Sequence, residues 1–258
     1  MESLPSVAPS ETPLKVDIVI DFYRKWRHWP RVAWGLRENS AYINRVIVVN
    51  DEPWTSETEA QLRAEDVGAP LLLRDHAHNG WGGARCTNEG LHLVETEYWV
   101  ALNADVVMSP SCLDDTLKLC APQTIIYPFT DTIPPDTPFS MLDDPYVLKS
   151  DSFYDNQDMD VWLQRQPWLP WRDFCVIEHT ASSHYLTGRL DLGTHGDVDR
   201  IYGCRWALTF GLERILHDGG TAYNLGHFDP RPPESPSMGA CWSQFLAMFF
   251  SRYPQFKR

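Results

Sequence analysis

The chain has 258 residues, 43% of them hydrophobic and 22% charged, which predicts a soluble globular protein with a sizeable core. Its formal net charge of −13 and the absence of a dense Lys/Arg run argue against a duplex-DNA-binding protein, which normally presents a basic face. The six cysteines form no Cys-x-x-Cys pair, so a zinc site is not expected.

The first segment, residues 1–14, is rich in Ser, Pro and Glu and is expected to be a disordered leader. It lacks the apolar core of a secretory signal, and no apolar run reaches the ~20 residues needed to span a bilayer. We therefore expect a cytoplasmic protein with reduced thiols and no transmembrane segment, in which residues 15–258 form a single domain.

Short apolar runs then recur along the chain and predict strands that are covered on both faces. They are Val16–Ile20, Arg45–Val49, Leu71–Leu73, Tyr98–Leu102 and Thr124–Tyr127. Helical patterns fill the gaps between the runs. This alternation predicts a Rossmann-like α/β fold with a mostly parallel central sheet flanked by helices, and ligands bind such sheets beyond the carboxyl ends of the strands.

Three helices are predicted from capping signals and apolar spacing in the first half of the chain and at its middle. Ser56-x-x-Glu59 is a capping-box pattern that opens a short helix, and a second helix is expected from Gly83 to about Glu95. Ser111-x-x-Asp114 is a candidate cap for the third.

The second half of the chain is less regular. Residues 130–175 are rich in Pro, Asp and aromatic side chains and predict long loops, which often carry binding functions. A helix is expected over Asp199–His217, with an apolar stripe formed by Ile201, Cys204, Leu208, Leu212 and Ile215. A strand is expected at Thr221–Leu225. The stretch Gln244–Tyr253 predicts a helix that packs on the domain or faces a second copy, so a homodimer is a candidate assembly.

Polar residues follow two of the predicted strands. Asn50-Asp51 comes after the second strand, where a carboxylate can accept a hydrogen bond from a base or a ribose hydroxyl, although the same dipeptide is common in plain turns. Asn103-Ala104-Asp105 comes after the fourth strand, where a carboxylate is well placed to hold Mg²⁺ or Mn²⁺ against a diphosphate.

A glycine-rich stretch, NGWGGARCTN at residues 79–88, leads into the second predicted helix. Glycine lets the backbone approach a ligand closely, and the start of the helix favours an anion. Arg85 adds a cation that can pair with a phosphate. The stretch is neither a Gly-x-Gly-x-x-Gly fingerprint nor a P-loop.

In order and spacing, the segments VDIVIDFY, VIVVND, NGWGGARCTNEGL and YWVALNADV resemble glycosyltransferase family 2 and its relatives of the GT-A fold. The resemblance covers about residues 15–120, which would form the nucleotide-sugar-binding half, and leaves 121–258 as the acceptor and catalytic half. It implies a metal-dependent, inverting transfer of a sugar from a nucleoside-diphosphate donor, expected to be a UDP-sugar, to a hydroxyl acceptor.

The resemblance also implies roles for residues of the donor side. Asp21, Phe22 and Asp51 would hold the nucleobase and ribose, while Asn50 replaces the first acid of the family's acidic pair. Arg85 would lie near the nucleotide, at the start of the helix that Gly83 opens.

The same resemblance implies the metal ligands and the catalytic base. Asp105 matches the last acid of an Asp-x-Asp motif and would bind Mn²⁺ or Mg²⁺, whereas Asn103 replaces the first acid. Asp197 would be the general base with Asp199 beside it, and plain helix capping is the competing interpretation. His227 follows a predicted strand and would complete the metal shell; a packed or surface histidine is the alternative.

Two other functional classes fit part of the sequence. A sugar-nucleotide-forming nucleotidyltransferase would have a glycine-rich loop after the first strand, where this chain has DFYRKW. A non-catalytic nucleotide-sugar or carbohydrate-binding relative is suggested by Asn103 and the aromatic loops. The acceptor stays open among a glycan, a lipid-linked sugar, a protein side chain and the hydroxyl of a hydroxymethylated DNA base.

Overall fold

The computed structural model describes residues 13–76, 83–133, 175–189, 199–225, 247–248 and 250–254. Within these residues, eight strands form one sheet. They are β1 Val16–Phe22, β2 Ile43–Asn50, β3 Leu71–Asp75, β4 Tyr98–Asn103, β5 Val106–Met108, β6 Ile125–Ile133, β7 Cys175–His179 and β8 Ile215–Leu225. Their order across the sheet is β3-β2-β1-β4-β7-β6-β8-β5.

The sheet is mostly parallel, so the predicted α/β fold class is confirmed. Strand β1 pairs in parallel with β2 and β4, and β2 pairs in parallel with β3. Strand β7 is antiparallel to both β4 and β6, while β8 is parallel to β6 and antiparallel to β5. The five predicted apolar strands and the strand at Thr221–Leu225 are all present, most of them longer than predicted, whereas β5 and β7 were not predicted.

Six α-helices flank the sheet in residues 13–225, within the described ranges, and described residues 247–248 and 250–252 are helical as well. The six are α1 Trp29–Glu38, α2 Ser56–Arg63, α3 Gly83–Leu91, α4 Cys112–Leu117, α5 Thr180–Tyr185 and α6 Asp199–Phe210. Helices α1 and α5 were not predicted from the sequence. Helix α1 begins with a proline in its first turn, a position where the missing backbone N–H costs nothing, and it buries Trp29, Val32 and Leu36.

The caps of the helices differ from the prediction in detail. The cap of α2 is Thr55, not Ser56: the Thr58 backbone N–H donates to Thr55 Oγ1 at 3.1 Å, and the Thr55 N–H donates to Thr58 Oγ1 at 2.9 Å. Ser111 does precede α4, but its side chain makes no capping hydrogen bond. A Thr/Thr pair thus forms the reciprocal cap that the sequence pattern assigned to Ser56 and Glu59.

The predicted helix over Asp199–His217 ends early, at Phe210. Gly211 has a φ of +108°, a conformation that other residues rarely adopt, and a 3-10 turn follows at Leu212–Arg214. Ile215 then begins β8. The predicted helix is therefore wrong beyond this glycine. Within α6, Cys204 of the predicted stripe is buried, and so are Tyr202 and Trp206, which the stripe did not include.

The region predicted as long loops is described only at its ends. Residues 130–133 belong to β6 and Cys175 begins β7, so the loop prediction was wrong at these ends; residues 134–174 lie outside the described part. At the C-terminus, Phe250 and Tyr253 pack against Cys204 and Ala207 of α6, and the Tyr253 hydroxyl donates to the Ala207 carbonyl at 2.8 Å. These contacts agree with the packed alternative; the homodimer stays a prediction.

Both faces of the sheet are covered, as continuous apolar strands require. One face packs on α1 and α4, and the other packs on α3 through Val19, Cys86 and Trp99. Helix α3 lies so close to β1 that a Cβ atom on Gly90 would stand 2.2 Å from Val19 Cγ1. This close packing holds the last turn of α3 against the middle of β1. Among the described residues, no helix has both the length and the apolarity needed to cross a bilayer.

Candidate functional site

The polar residues that follow β1, β2 and β4 meet at one edge of the sheet. Asp21 lies in register with Val49 on one side and Asn103 on the other, and Phe22 lies opposite Asn50. The Asp51 N–H donates to the Phe22 carbonyl at 2.9 Å, which ties the two strand ends together. The edge predicted from the sequence is therefore one contiguous surface, which we call the carboxyl edge.

Asp105 lies just beyond β4, between the loop after β1 and the end of β8. It is 5% exposed, and its Oδ2 atom accepts a hydrogen bond from Lys25 Nζ at 2.8 Å in an ion pair. Its carbonyl accepts from the Leu225 N–H at 2.8 Å. The carboxylate is thus held in place from two sides, and Lys25 is a site residue that the sequence analysis missed.

Asp21 interacts electrostatically with Asp105, and the two carboxylates repel each other. The pKa of Asp21 is raised to about 7, first by burial and then by repulsion from Asp105, while Arg189 and Lys25 act in the opposite direction. A Cβ atom on Gly83 would lie 3.2 Å from Asp21 Oδ2, so the first turn of α3 stands against this carboxylate. A carboxyl group that titrates near neutral pH at a strand end is typical of a functional site.

Asn50 and Asp51 are both buried, with 2% and 3% exposure. The Asn50 Oδ1 atom has no hydrogen-bond partner among the described residues. Such a buried acceptor is commonly satisfied by water or a ligand. Burial and, after it, the negative charges of Asp51 and Asp21 raise the pKa of the Cys86 thiol of α3.

Phe22 has a different environment from the one predicted. Its side chain is 1% exposed and lies on the face of the sheet that packs on α1 and α4. The centroid of its ring is 4.7 Å from that of Trp26, 6.0 Å from that of Trp29 and 6.2 Å from that of Trp54. This burial disagrees with a direct contact between the phenyl ring and a nucleobase. Phe22 instead supports the carboxyl edge from within the core.

The remaining predicted residues are described only in part. Arg85 is exposed on the first turn of α3. Asp199 begins α6, but its side chain, Asp197 and His227 lie outside the described residues. In the part of the chain that the structure describes, no three His, Cys, Asp or Glu side chains cluster as metal ligands. The roles predicted for Asp197, Asp199 and His227 therefore stay predictions.

A second polar cluster lies inside the domain around Glu178 of β7, which is fully buried. Arg189 Nη2 donates to Glu178 Oε1 at 3.0 Å, and the hydroxyls of Ser183 and Tyr202 donate to Oε2 at 2.7 Å and 3.0 Å. Trp99 Nε1 donates to Ser183 Oγ at 3.0 Å. We call these five residues the Glu178 cluster.

The Glu178 cluster is joined to α3 and to the carboxyl edge. The Arg189 N–H donates to Asn88 Oδ1 of α3 at 2.8 Å, and the Asn88 amide donates back to the Arg189 carbonyl at 2.6 Å. The positive charge of Arg189 also lowers the pKa of Asp21. No motif in the sequence indicates this cluster, because its members come from β4, β7, α5, α6 and the turn at Arg189.

Acidic residues lie at the carboxyl ends of β1, β2 and β4 at one edge of a mostly parallel sheet, and a helix starts at the same edge. This is where α/β domains bind their ligands. A sequence model of glycosyl transferase family 2 matches residues 17–184, more than half of the chain. The chain therefore belongs to glycosyl transferase family 2. A search of curated proteins finds no match.

Solved glycosyltransferases share the fold at low sequence identity. The structure of S. aureus TarS 1–349 matches with a TM-score of 0.58 and 14% sequence identity. The match covers 92% of this chain and 65% of the TarS chain. Glucosyl-3-phosphoglycerate synthase from Mycobacterium tuberculosis, in complex with Mn²⁺, UDP and glucosyl-3-phosphoglycerate, matches with a TM-score of 0.54 and 15% identity. That match covers 98% of this chain and 86% of the synthase chain. The mannosyltransferase PcManGT from Pyrobaculum calidifontis, in complex with GDP-Man and Mn²⁺, matches with a TM-score of 0.55 and 14% identity. That match covers 98% of this chain and 68% of the PcManGT chain. At such identity the likeness shows a shared GT-A fold.

Proposed function

We propose that this domain transfers a sugar from a nucleoside-diphosphate sugar, with a UDP-sugar as the expected donor, to a hydroxyl acceptor with inversion at the anomeric carbon. The observation that carries the proposal is Asp105, a buried carboxylate at the end of β4, held beside Asp21 and Lys25. Its place in the sequence matches the last acid of the family's Asp-x-Asp motif. Membership of the family gives the reaction class.

The residues of the carboxyl edge suit a hard divalent cation such as Mn²⁺ or Mg²⁺. These cations prefer carboxylate and amide oxygens, which Asp105, Asp21 and Asn103 place at this edge. Because Asp105 raises the pKa of Asp21, a cation near both groups would relieve their repulsion. Asp105 would hold the cation, with His227 as the further predicted ligand. When bound, the cation would neutralise the charge of the departing diphosphate.

The other residues of the edge would bind the donor. Asp51 and the side-chain Oδ1 atom of Asn50, buried at the end of β2, would accept hydrogen bonds from the ribose and base. The start of α3 at Gly83, with Arg85 exposed on its first turn, would face the phosphates. These contacts would orient the sugar toward the acceptor side.

The transfer itself requires a base on the acceptor side. We propose that Asp197, with Asp199 beside it at the start of α6, takes the proton of the acceptor hydroxyl as its oxygen attacks C1 and the bond to the diphosphate breaks. The acceptor is proposed only as a class, namely a glycan, protein or nucleobase hydroxyl. Cytoplasmic location and a homodimer also stay predictions.

Two of the three structural relatives support a UDP-sugar as the donor, and the third binds a GDP-sugar. TarS binds UDP-GlcNAc in its solved complex, the synthase binds UDP and UDP-Glc, and PcManGT binds GDP-Man. A donor panel must therefore include UDP-, TDP- and GDP-sugars. Because a ligand that binds the folded state raises the melting temperature, the preferred donor will give the largest thermal shift.

Asn103 favours a second candidate, a non-catalytic nucleotide-sugar-binding domain. An amide in place of the first acid of the motif brings no charge to the metal site. This candidate predicts a thermal shift with a donor but no release of nucleoside diphosphate at any metal concentration. The enzyme predicts slow donor hydrolysis with Mn²⁺ that stops when a chelator is added.

The test uses Asp105→Asn with Asp115→Asn as its matched control, since Asp115 is an exposed carboxylate on α4 that pairs with Lys118. We expect Asp105→Asn to lower donor hydrolysis at least about 100-fold, as is typical when a group that stabilises a charged transition state is lost. Asp115→Asn should keep wild-type activity. Wild-type turnover in the Asp105 variant would reject the proposed metal site, and wild-type turnover in Asp197→Asn would reject the proposed base.

A further inference from the structure

Lys25 forms an ion pair with Asp105, the proposed metal ligand. Its Nζ atom lies 2.8 Å from Asp105 Oδ2, with the two side chains 27% and 8% exposed. The Lys25 carbonyl accepts hydrogen bonds from the N–H groups of His28 and Trp29 at 3.0 Å and 3.1 Å. The backbone of Lys25 is therefore fixed by the start of α1, while its long side chain reaches the carboxyl edge.

The surroundings of this ion pair distinguish it from an ordinary surface pair. Lys118 and Asp114 on α4 are also close, at 2.9 Å, but their side chains are 62% and 42% exposed and screened by water. Asp105 is nearly buried and repels Asp21, and the charge of Lys25 acts on Asp21 as well. Lys25 thus offsets negative charge shared by two carboxylates.

A divalent cation and the Lys25 ammonium cannot both keep this position. A metal ion binds a carboxylate oxygen at about 2.0 to 2.2 Å, which would bring two positive centres close together if Lys25 stayed. Either the cation is repelled or the ammonium moves. A lysine has a flexible stem and a compact charge, and it is a common ligand of phosphate, so it can move to an incoming anion.

We propose that Lys25 is a built-in counter-cation of the Asp105 site: it pairs with Asp105 in the free domain, gives way to the divalent cation, and then binds the diphosphate of the donor. This inference rests on the proposed function. It makes Lys25 a competitor of metal in the free domain and a partner of the donor in the loaded one. Metal and nucleotide should consequently bind with positive coupling, each strengthening the other.

The first measurement is the affinity for Mn²⁺ without nucleotide, read from the paramagnetic resonance signal of free Mn²⁺. Lys25→Met keeps most of the stem and removes the charge. We expect Lys25→Met to bind Mn²⁺ about tenfold more tightly than the wild type, because the competing ammonium is gone. Lys118→Met should bind it as the wild type does, since its ion pair lies on the surface.

The second measurement is the affinity for UDP at saturating Mn²⁺, by calorimetry. We expect Lys25→Met to bind UDP about tenfold more weakly, because one charge-assisted contact to the diphosphate is lost. Lys25→Arg should keep most of this affinity, and Lys118→Met all of it. The coupling between Mn²⁺ and UDP should be smaller in Lys25→Met than in the wild type.

Asp105→Asn separates failure of this inference from failure of the proposed site. If Asp105→Asn abolishes Mn²⁺ binding while Lys25→Met leaves both affinities unchanged, the metal site stands and the role of Lys25 is overturned. If Asp105→Asn binds Mn²⁺ as the wild type does, the proposed site itself fails and the inference fails with it. Circular dichroism verifies the fold of each variant, and Lys25→Gln replaces Lys25→Met if the latter does not fold.

Discussion

The carboxyl edge and the Glu178 cluster both contain buried carboxylates, but they are balanced differently. Glu178 is surrounded by the side chains of its own protein: a guanidinium and two hydroxyls bind its two oxygens. At the carboxyl edge, burial and, after it, repulsion from Asp105 raise the pKa of Asp21 to about 7. In the first arrangement both oxygens of the carboxylate have partners within the protein, and in the second a cation would offset the repulsion between Asp21 and Asp105.

This difference separates structural charge from functional charge in one domain. A buried ion pair with every oxygen satisfied fixes the relative positions of its elements. A carboxylate whose pKa is raised by a second carboxylate is a marker of a ligand site. The two regions are connected through Arg189, so changes in one should be detectable in the other.

The largest expected effect comes from removing Arg189. Arg189→Met leaves the Glu178 carboxylate buried without its cation, so we expect the free energy of unfolding to fall by about 3 to 5 kcal/mol in urea denaturation. Arg63→Met is the control, because Arg63 pairs with Glu59 on the exposed face of α2. We expect this variant to lower the free energy of unfolding by less than about 1 kcal/mol. A loss below about 1 kcal/mol in Arg189→Met would show that the cluster is not the structural element described above.

The next effect tests the packing that positions the carboxyl edge. In Gly90→Ala, the new methyl group would lie 2.2 Å from Val19 Cγ1, so α3 and β1 must move apart. We expect a loss of about 2 kcal/mol from overpacking. Val19→Ala should relieve the clash, so that the double variant is more stable than the sum of the two single losses predicts. Strict additivity would contradict the close contact.

A smaller, pH-dependent effect is expected at Asp21. Because its pKa rises from 3.8 in the unfolded chain to about 7 in the folded one, the folded state holds the proton more tightly, and stability falls as the pH rises between these values. Asp21→Asn removes this loss. We expect it to exceed the wild type by about 1 to 2 kcal/mol at pH 8 in chelator, and the difference to shrink at pH 5.

The measurement for Asp21 is urea denaturation at both pH values, with Asp115→Asn as a control on an exposed carboxylate. The control should show the same small difference from the wild type at either pH. A difference for Asp21→Asn that is constant with pH, or larger at pH 5, would contradict the raised pKa and with it the contrast between the carboxyl edge and the Glu178 cluster.

The smallest effect lies outside both regions and tests the cap of α2. Thr55→Ala removes the hydroxyl that accepts the Thr58 N–H, which should cost about 1 kcal/mol of stability in urea denaturation. Ser56→Ala removes the cap that the sequence pattern indicated and should change stability by a few tenths of a kcal/mol at most. Equal losses in both variants would show that the reciprocal Thr55/Thr58 cap is not formed.

Much of the amino-terminal half was predictable because its signals are local. Continuous apolar runs mark β1, β2, β3 and β4, and the polar residues Asn50-Asp51 and Asn103-Ala104-Asp105 follow directly where these runs end. Since parallel strands place their carboxyl ends at the same edge, sequence position alone was enough to gather these residues. Phe22 shows the limit of this reasoning, because the position after a strand does not say which face a side chain occupies.

The rest of the site required the folded chain. Lys25 and Asp105 are 80 positions apart, and Arg189 is 101 positions from Asn88, so no local pattern could pair them. The end of α6 at Gly211 was missed for a related reason: the apolar spacing continued past a glycine that turns the chain into β8. Local propensity was overridden there by strand pairing across the sheet.

The sequence by itself determined the α/β class, the family, and the edge of the sheet that carries the acidic residues, because these depend on the order and periodicity of short segments. Only the tertiary structure decided which cation stands beside Asp105, which face receives Phe22, and that Glu178 is neutralised inside the domain. Those facts depend on distances between residues far apart in the chain, and charge interactions follow distance and burial, not sequence position.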